Sequence, residues 1–211
     1  SWSSRDYFGR WKALQFYARR FYADLLVSPH EQDGKIAVYV VSDKVKETPA
    51  QLHVVLMDFD GKVLMEKSSD VTLAPIASKI YLQLDKAELL AGHNPSRVFF
   101  NCELRVDGKR VSDNRLFFKP YKELDLPAAK IASRVRPVAG GYEISLKSDG
   151  LARAVYLSVE NVGRSVDGQF SDNFFDLLPG KPVTVIFKAG SETRLDAIRD
   201  GLRVSSLADS Y

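Results

Sequence analysis

Three histidines, one cysteine and several close carboxylate pairs are the residues of this chain whose chemistry could exceed packing. Nucleophilic catalysis needs a hydroxyl or thiol with a base beside it and a third group orienting the base. His30, His53 and His93 are scattered along the chain, and none sits beside a candidate nucleophile. No Cys/His cluster has the spacing of metal ligands, so no metal and no cofactor is expected. Asp58 with Asp60 and Glu192 with Asp196 are paired carboxylates, but they fall in loops with no apolar pocket implied and read as solvated turns. Gly140-Gly141 alone is a turn rather than a phosphate loop. Cys102 lies among Phe99, Phe100 and Leu104 and reads as a small buried hydrophobe. On its own residues the chain is not an enzyme.

The scaffold is better marked than any site. Ser171 to Val185 (SDNFFDLLPGKPVTV) runs from a polar corner through Phe174, Phe175, Leu177 and Leu178 to Pro179-Gly180, then to Val183 and Val185. This predicts a strand, a tight turn and a second strand with alternate residues inward, because Pro presets φ and Gly accepts positive φ. A second Ser-Asp-Asn, at 112–114, runs into Leu116, Phe117 and Phe118 and reads as another corner. Two copies of one device point to two similar β domains in tandem.

Length allows this, since 211 residues make two domains of about 100 each. Thirty basic against 27 acidic residues leave a net charge of +3, and no basic stripe is interleaved with aromatics, so nucleic acid is excluded as a partner. No apolar run approaches the roughly 20 residues that span a bilayer, and no membrane partner is expected. Ser1 to Asp6 has no signal-peptide core, and without an initiator Met the chain reads as a processed or excised piece.

Asp6 to Tyr22 has helical spacing, with Trp11, Leu14, Ala18 and Phe21 recurring every three or four residues and Tyr7, Tyr17 and Tyr22 widening the stripe. Leu25-Leu26-Val27 is a short apolar run that Ser28-Pro29 stops. Strands are expected at 35–42, 51–58, 63–65, 78–84, 97–106 and 110–118, with turns at Gly34, Gly61 and Gly108. Residues 119–129, with two prolines, read as an extended linker. Strands resume at 130–136, 142–147 and 154–160, and a helical turn at 195–200 precedes a closing strand at 202–207. The expected fold is mainly β: two tandem immunoglobulin-like β-sandwiches, at 25–119 and 130–211, joined by a linker at 120–129 and preceded by one amphipathic helix within 1–24.

The opening SWSSRDYFGRWKALQFYARRFY, the following LLVSP and IAVYVVSD, the late SDNFFDLLPGKPVTV and the closing LRVSSLADSY together resemble the C-terminal part of the β-mannosidases of glycoside hydrolase family 2, across essentially the whole chain. The resemblance implies that residues 1–24 end a catalytic (β/α)8 barrel and that the two sandwiches complete the polypeptide. It also implies a retaining hydrolase whose acid/base and nucleophile glutamates lie upstream, about 5 Å apart. The acid/base of that clan follows an Asn, and no Asn-Glu pair occurs in this sequence, so no catalytic residue is carried over. Trp2 stands where the barrel mouth would lie and is the one candidate substrate-binding residue, with packing at the top of the last helix as its alternative.

The implied partner is therefore the catalytic barrel of the same polypeptide, with β-mannoside reached only through it and a homodimer left open. Family association points to a periplasmic or secreted bacterial enzyme. A competing reading is a carbohydrate-binding module with Tyr121, Tyr142, Tyr156 and Tyr211 as an aromatic platform. A third is a stand-alone tandem immunoglobulin-like interaction protein. Tyrosines gathered on one exposed face would favour sugar binding; a bare apolar helix face would favour the barrel reading.

Overall fold

The computed structural model describes residues 3–7, 9–161, 164–190 and 193–210. It divides into two compact units, one made of Arg19–Asp125 and the other of Ser1–Ala18 with Leu126–Tyr211. One helix, α1 (Ala13–Phe21), runs across the first division.

The unit built from residues 19–125 contains seven strands: β1 (Leu25–Gln32), β2 (Lys35–Ser42), β3 (Thr48–Asp58), β4 (Val63–Leu73), β5 (Ala77–Asp85), β6 (Val98–Val106) and β7 (Lys109–Phe117), with a short helix α2 (Lys86–Leu89) after β5. They form a three-stranded sheet, β1-β2-β5, and a four-stranded sheet, β4-β3-β6-β7. Every pairing is antiparallel. The core between the sheets takes alternate residues of each strand: Leu25 and Val27, then Ile36, Val38 and Val40, facing Leu52, Val54, Leu56, Phe100, Cys102 and Leu104. Period-two alternation of this kind is what a half-buried sheet demands.

The other unit adds β8 (Ile131–Val138), β9 (Gly141–Ser148), β10 (Ala152–Asn161), β11 (Arg164–Ser165), β12 (Gly168–Phe170), β13 (Phe175–Leu177), β14 (Val183–Ala189), α3 (Leu195–Gly201) and β15 (Leu202–Ser205). One sheet runs β12-β14-β9-β8; in the other, β10 pairs with β11, β13 and β15. Its core gathers Ile144, Leu146, Val155, Leu157, Leu177, Val185, Phe187 and Ile198. The mainly β, two-sandwich expectation with one N-terminal helix is what the chain adopts.

Several local expectations change. Residues 4–7 and 9–12 are not helical: Arg5 and Trp11 form a β-bridge, and Lys12 N–H donates to the Ser4 carbonyl at 2.9 Å. Gly9 at φ +78 closes this loop, a conformation that ends helical periodicity whatever the side-chain spacing. The Asp6 carboxylate accepts from both the backbone N–H and the Nε of Arg10, so the loop holds itself shut. Pro29 does not stop β1, which continues to Gln32. β1 is an edge strand, and proline is tolerated there because the missing N–H faces away from the neighbouring strand.

The two Ser-Asp-Asn copies also part company. Residues 112–114 lie inside β7 rather than at a corner. From that strand Ser112 Oγ accepts the Val27 N–H at 3.1 Å and Asn114 Nδ2 donates to the Val27 carbonyl at 3.2 Å, tying β7 to the edge of the opposite sheet. Residues 171–173 are a true corner. Ser171 bonds Ile186 of β14, by its N–H at 2.7 Å and its hydroxyl at 2.8 Å. Two residues on, Asn173 brackets Leu157 of β10, accepting its N–H at 2.8 Å and donating to its carbonyl at 2.9 Å. The corner thus leaves one sheet at Ser171 and joins the other at Asn173. The first copy clamps the main chain of one residue, Val27, whereas the second clamps two, Ile186 and Leu157, one in each sheet.

Candidate functional site

The N-terminal segment and the surface under it make up one candidate site. α1 is anchored by Phe16, 2% exposed, whose ring meets Trp11 edge-on at 5.4 Å and Phe174 at 6.0 Å. Phe174 in turn stacks on Tyr156 at 5.0 Å. Phe174 sits at φ +53, a conformation forced by the corner whose Asn173 side chain accepts its N–H at 3.0 Å. A groove of about 380 Å³ runs beside this aromatic chain, with Arg10, Lys12, Ser158 and Gln169 among its polar lining.

The anchored face is not the one the spacing singled out. At 100° per residue, Phe16 lies about 200° round the helix from Leu14. Two of the four residues of the predicted stripe are instead outward, Leu14 at 60% and Phe21 at 56% exposed, and Tyr7 and Tyr22 are more exposed still. Trp11 and Phe16, not Leu14 and Phe21, carry the packing. Spacing reveals that a helix has an apolar stripe, but Phe16 is buried by a residue far along the chain, which no local pattern announces.

The sequence-derived candidates do not converge. Trp2, Glu192 and Tyr211 lie outside the described residues. Tyr121 belongs to the unit of residues 19–125, where its ring meets Phe117 edge-on. Tyr142 is on β9 and donates its hydroxyl to the Thr193 carbonyl at 2.5 Å, whereas Tyr156 is on β10 in the opposed sheet. Tyr142 and Tyr156 therefore cannot share a platform. Asp58 accepts the backbone N–H groups of Asp60 and Lys62 and is a turn residue, as read. Among the described residues no group of three or more His, Cys, Asp or Glu gathers as a metal site.

One histidine does meet a hydroxyl. Ser28 Oγ and His30 Nε2 are 3.1 Å apart, which corrects the reading that no histidine adjoins a nucleophile. Residues i and i+2 share one face of a strand, so the pair was legible once β1 ran through Pro29. No carboxylate among the described residues orients the ring, and both side chains are at the surface, so the pair lacks the third member of a hydrolytic system. His53 Nε2 lies 2.8 Å from Glu66 across β3 and β4.

Cys102 is fully buried and faces the core of the first sandwich. Burial pushes its thiol well above the ordinary cysteine range, with the nearby Arg115 charge acting the other way. The folded chain is accordingly expected to leave Cys102 unlabelled by a disulfide-exchange reagent at pH 8 and to release one equivalent in guanidinium chloride. Fast native labelling would contradict the burial.

Comparison with known proteins agrees with this architecture. The family model described as a mannosidase Ig/CBM-like domain matches residues 34–123, and that of the mannosidase Ig-fold domain matches 126–210. Over the full chain the protein is 31% identical to a β-mannosidase of Capra hircus and 30% to that of Mus musculus, and it covers 24% of each. It thus spans about a quarter of the length of these relatives. A β-D-mannosidase structure from Dictyoglomus thermophilum superposes over 98% of the chain and 24% of its own, with TM-score 0.81 and 25% identity. An exo-chitosanase from Amycolatopsis orientalis shares the fold, at TM-score 0.66 and 16% identity over 97% of the chain and 28% of its own. With the two mannosidase-type immunoglobulin-like domains in order along its length and the likeness running from end to end, the chain belongs to the β-mannosidases of glycoside hydrolase family 2, as a part of their C-terminal portion.

Proposed function

We propose that this chain is the non-catalytic C-terminal region of a polypeptide that hydrolyses terminal β-D-mannose residues from β-mannosides, and that it supports and orients the catalytic barrel. The observation that carries this reading is the divided helix α1: Phe16 anchors one face, while Leu14 and Phe21, on the opposite side, stay more than half exposed. An isolated helix of nine residues is marginal in water, and one with a half-exposed apolar stripe gains from a second body against it. Covering Leu14 and Phe21 contributes up to about 1.5–3 kcal/mol for each side chain, as an upper figure.

The test is hydrolysis of p-nitrophenyl β-mannoside by this chain alone and by a polypeptide in which a β-mannosidase catalytic portion precedes it. Turnover is expected only in the second. Leu14→Asp with Phe21→Asp is expected to lower the melting temperature of the longer polypeptide while leaving the isolated chain's unchanged. Turnover by the chain alone, or equal effects on both melts, overturns the reading.

A further inference from the structure

The outer face of the β1-β2-β5 sheet is not the surface that water alone would select. The solvated face of an antiparallel sheet reads polar. Here Leu26, Tyr39, Val41 and Ile80 alternate with the core residues and point outward beside Ser28, His30 and Ser78. Pairing lines them up in rows: Ser28 opposite Tyr39 and Tyr39 opposite Ile80, then Leu26 opposite Val41 and Val41 opposite Ser78. The β2–β5 register shifts between Val38 and Tyr39. Irregularities of this kind bend a sheet and re-aim the side chain beside them. A groove of about 430 Å³ results, within the range of about 300–1,000 Å³ for small-molecule sites.

Its lining combines the Tyr39 ring with several polar groups, three of which the fold leaves unused. Tyr39 is half-buried and held by the His30 ring edge-on at 5.8 Å, so its plane is set. Among the described residues, the Tyr39 hydroxyl, the Gln32 amide and the Ser78 hydroxyl make no side-chain hydrogen bond, and neither is any of them otherwise engaged beyond that ring contact. Ser28 and His30 bond only each other, at 3.1 Å, and can exchange that bond for a ligand's. The one carboxylate in the lining, Glu31, is neutralised by the Lys86 ammonium. An aromatic face, free donors and acceptors, and no uncompensated charge together select a neutral, hydroxyl-rich ligand over an anion or a basic peptide.

We infer that this groove binds a neutral pyranoside, its ring laid against Tyr39 and its hydroxyls taken by Ser28, His30, Gln32 and Ser78. The groove itself supports the pyranoside class; mannosides as the first probes rest on the function proposed above.

The experiment is an amide-resolved NMR titration of the 211-residue chain with β-1,4-mannobiose, β-1,4-mannotetraose and cellobiose. Saturable shifts confined to residues 26–41 and 78–80 are expected with at least one sugar. Tyr39→Ala is expected to weaken that binding at least tenfold with an unchanged melting temperature, and Tyr156→Ala to leave it intact. No saturable response to any of the sugars, undiminished binding by Tyr39→Ala, or shifts centred on Tyr156 overturns the inference. So does a concentration-dependent change at these amides without sugar, which would make the face a contact between copies. Binding of cellobiose alone would keep the groove and count only against the mannoside assignment, whereas the barrel reading is judged separately by turnover and melting.

Discussion

Asn173→Ala is expected to destabilise the C-terminal sandwich by about 3–5 kcal/mol, read as a lowered urea midpoint. Asn173 is 3% exposed and Leu157, which it brackets, 1%. Alanine removes both partners of the Leu157 peptide groups at once, leaving a donor and an acceptor in a site that excludes water. Each such orphan costs about 1–3 kcal/mol. The change also frees the Phe174 N–H, so the left-handed turn at φ +53 loses its brace. Asn173→Asp keeps the acceptor but cannot donate to the Leu157 carbonyl when ionised, so it is expected to destabilise more at pH 7 than at pH 3. Ser171→Ala is the control: it loses one hydroxyl contact at an exposed residue and is expected to cost about 1 kcal/mol or less. An unchanged midpoint for Asn173→Ala would mean that the corner is held by packing alone.

The second large effect is at Asp176. Its carboxylate accepts from Arg153 Nη1 at 2.6 Å and from the Ala154 N–H at 2.8 Å, with side chains 9% and 14% exposed for Asp176 and Arg153. β10 is irregular here: its register against β13 shifts between Ala152 and Val155, and Ala154 stands at φ +48. Asp176 thus neutralises a buried guanidinium and pins a strained bulge with the same group. Asp176→Ala withdraws the carboxylate and is expected to cost about 3–5 kcal/mol, the range for breaking one partner out of a buried pair. Arg153→Met with Asp176→Leu is expected to recover much of that loss, because the charge no longer needs a partner. Urea midpoints of the two single variants and the double variant decide it. A double variant that merely sums the singles would show that the two side chains act independently.

The strands were the legible part. Residues 35–42 are rich in β-branched and aromatic residues, and β2 occupies that span. Gly34, Gly61 and Gly108, all at positive φ, mark the turns where they were expected. What misled were residues whose role depends on something distant. Pro29 reads as a stop unless the strand is known to be at an edge. Ser112 and Asn114 read as a corner because polar residues in a strand look like an interruption; their partner, Val27, is more than eighty residues away. The helix stripe was visible but not which side of it would be covered. The tyrosine platform failed because alternation cannot tell which of two sheets a strand joins, and Tyr142 and Tyr156 join different ones. The Ser28–His30 contact was hidden by the early end assigned to β1.

The clasp on β1 bears on how the protein behaves when crowded. An open sheet edge is a template on which another chain can add a strand, the first step of many aggregates. On β1 the outward N–H of Val27 is already held by Ser112 and its carbonyl by Asn114, and Pro29, the next residue facing that way, has no N–H to offer. The middle of that border of the three-stranded sheet is therefore blocked against recruitment. A chain with no disulfide to restrain it keeps its strands to itself there by occupying its own docking points.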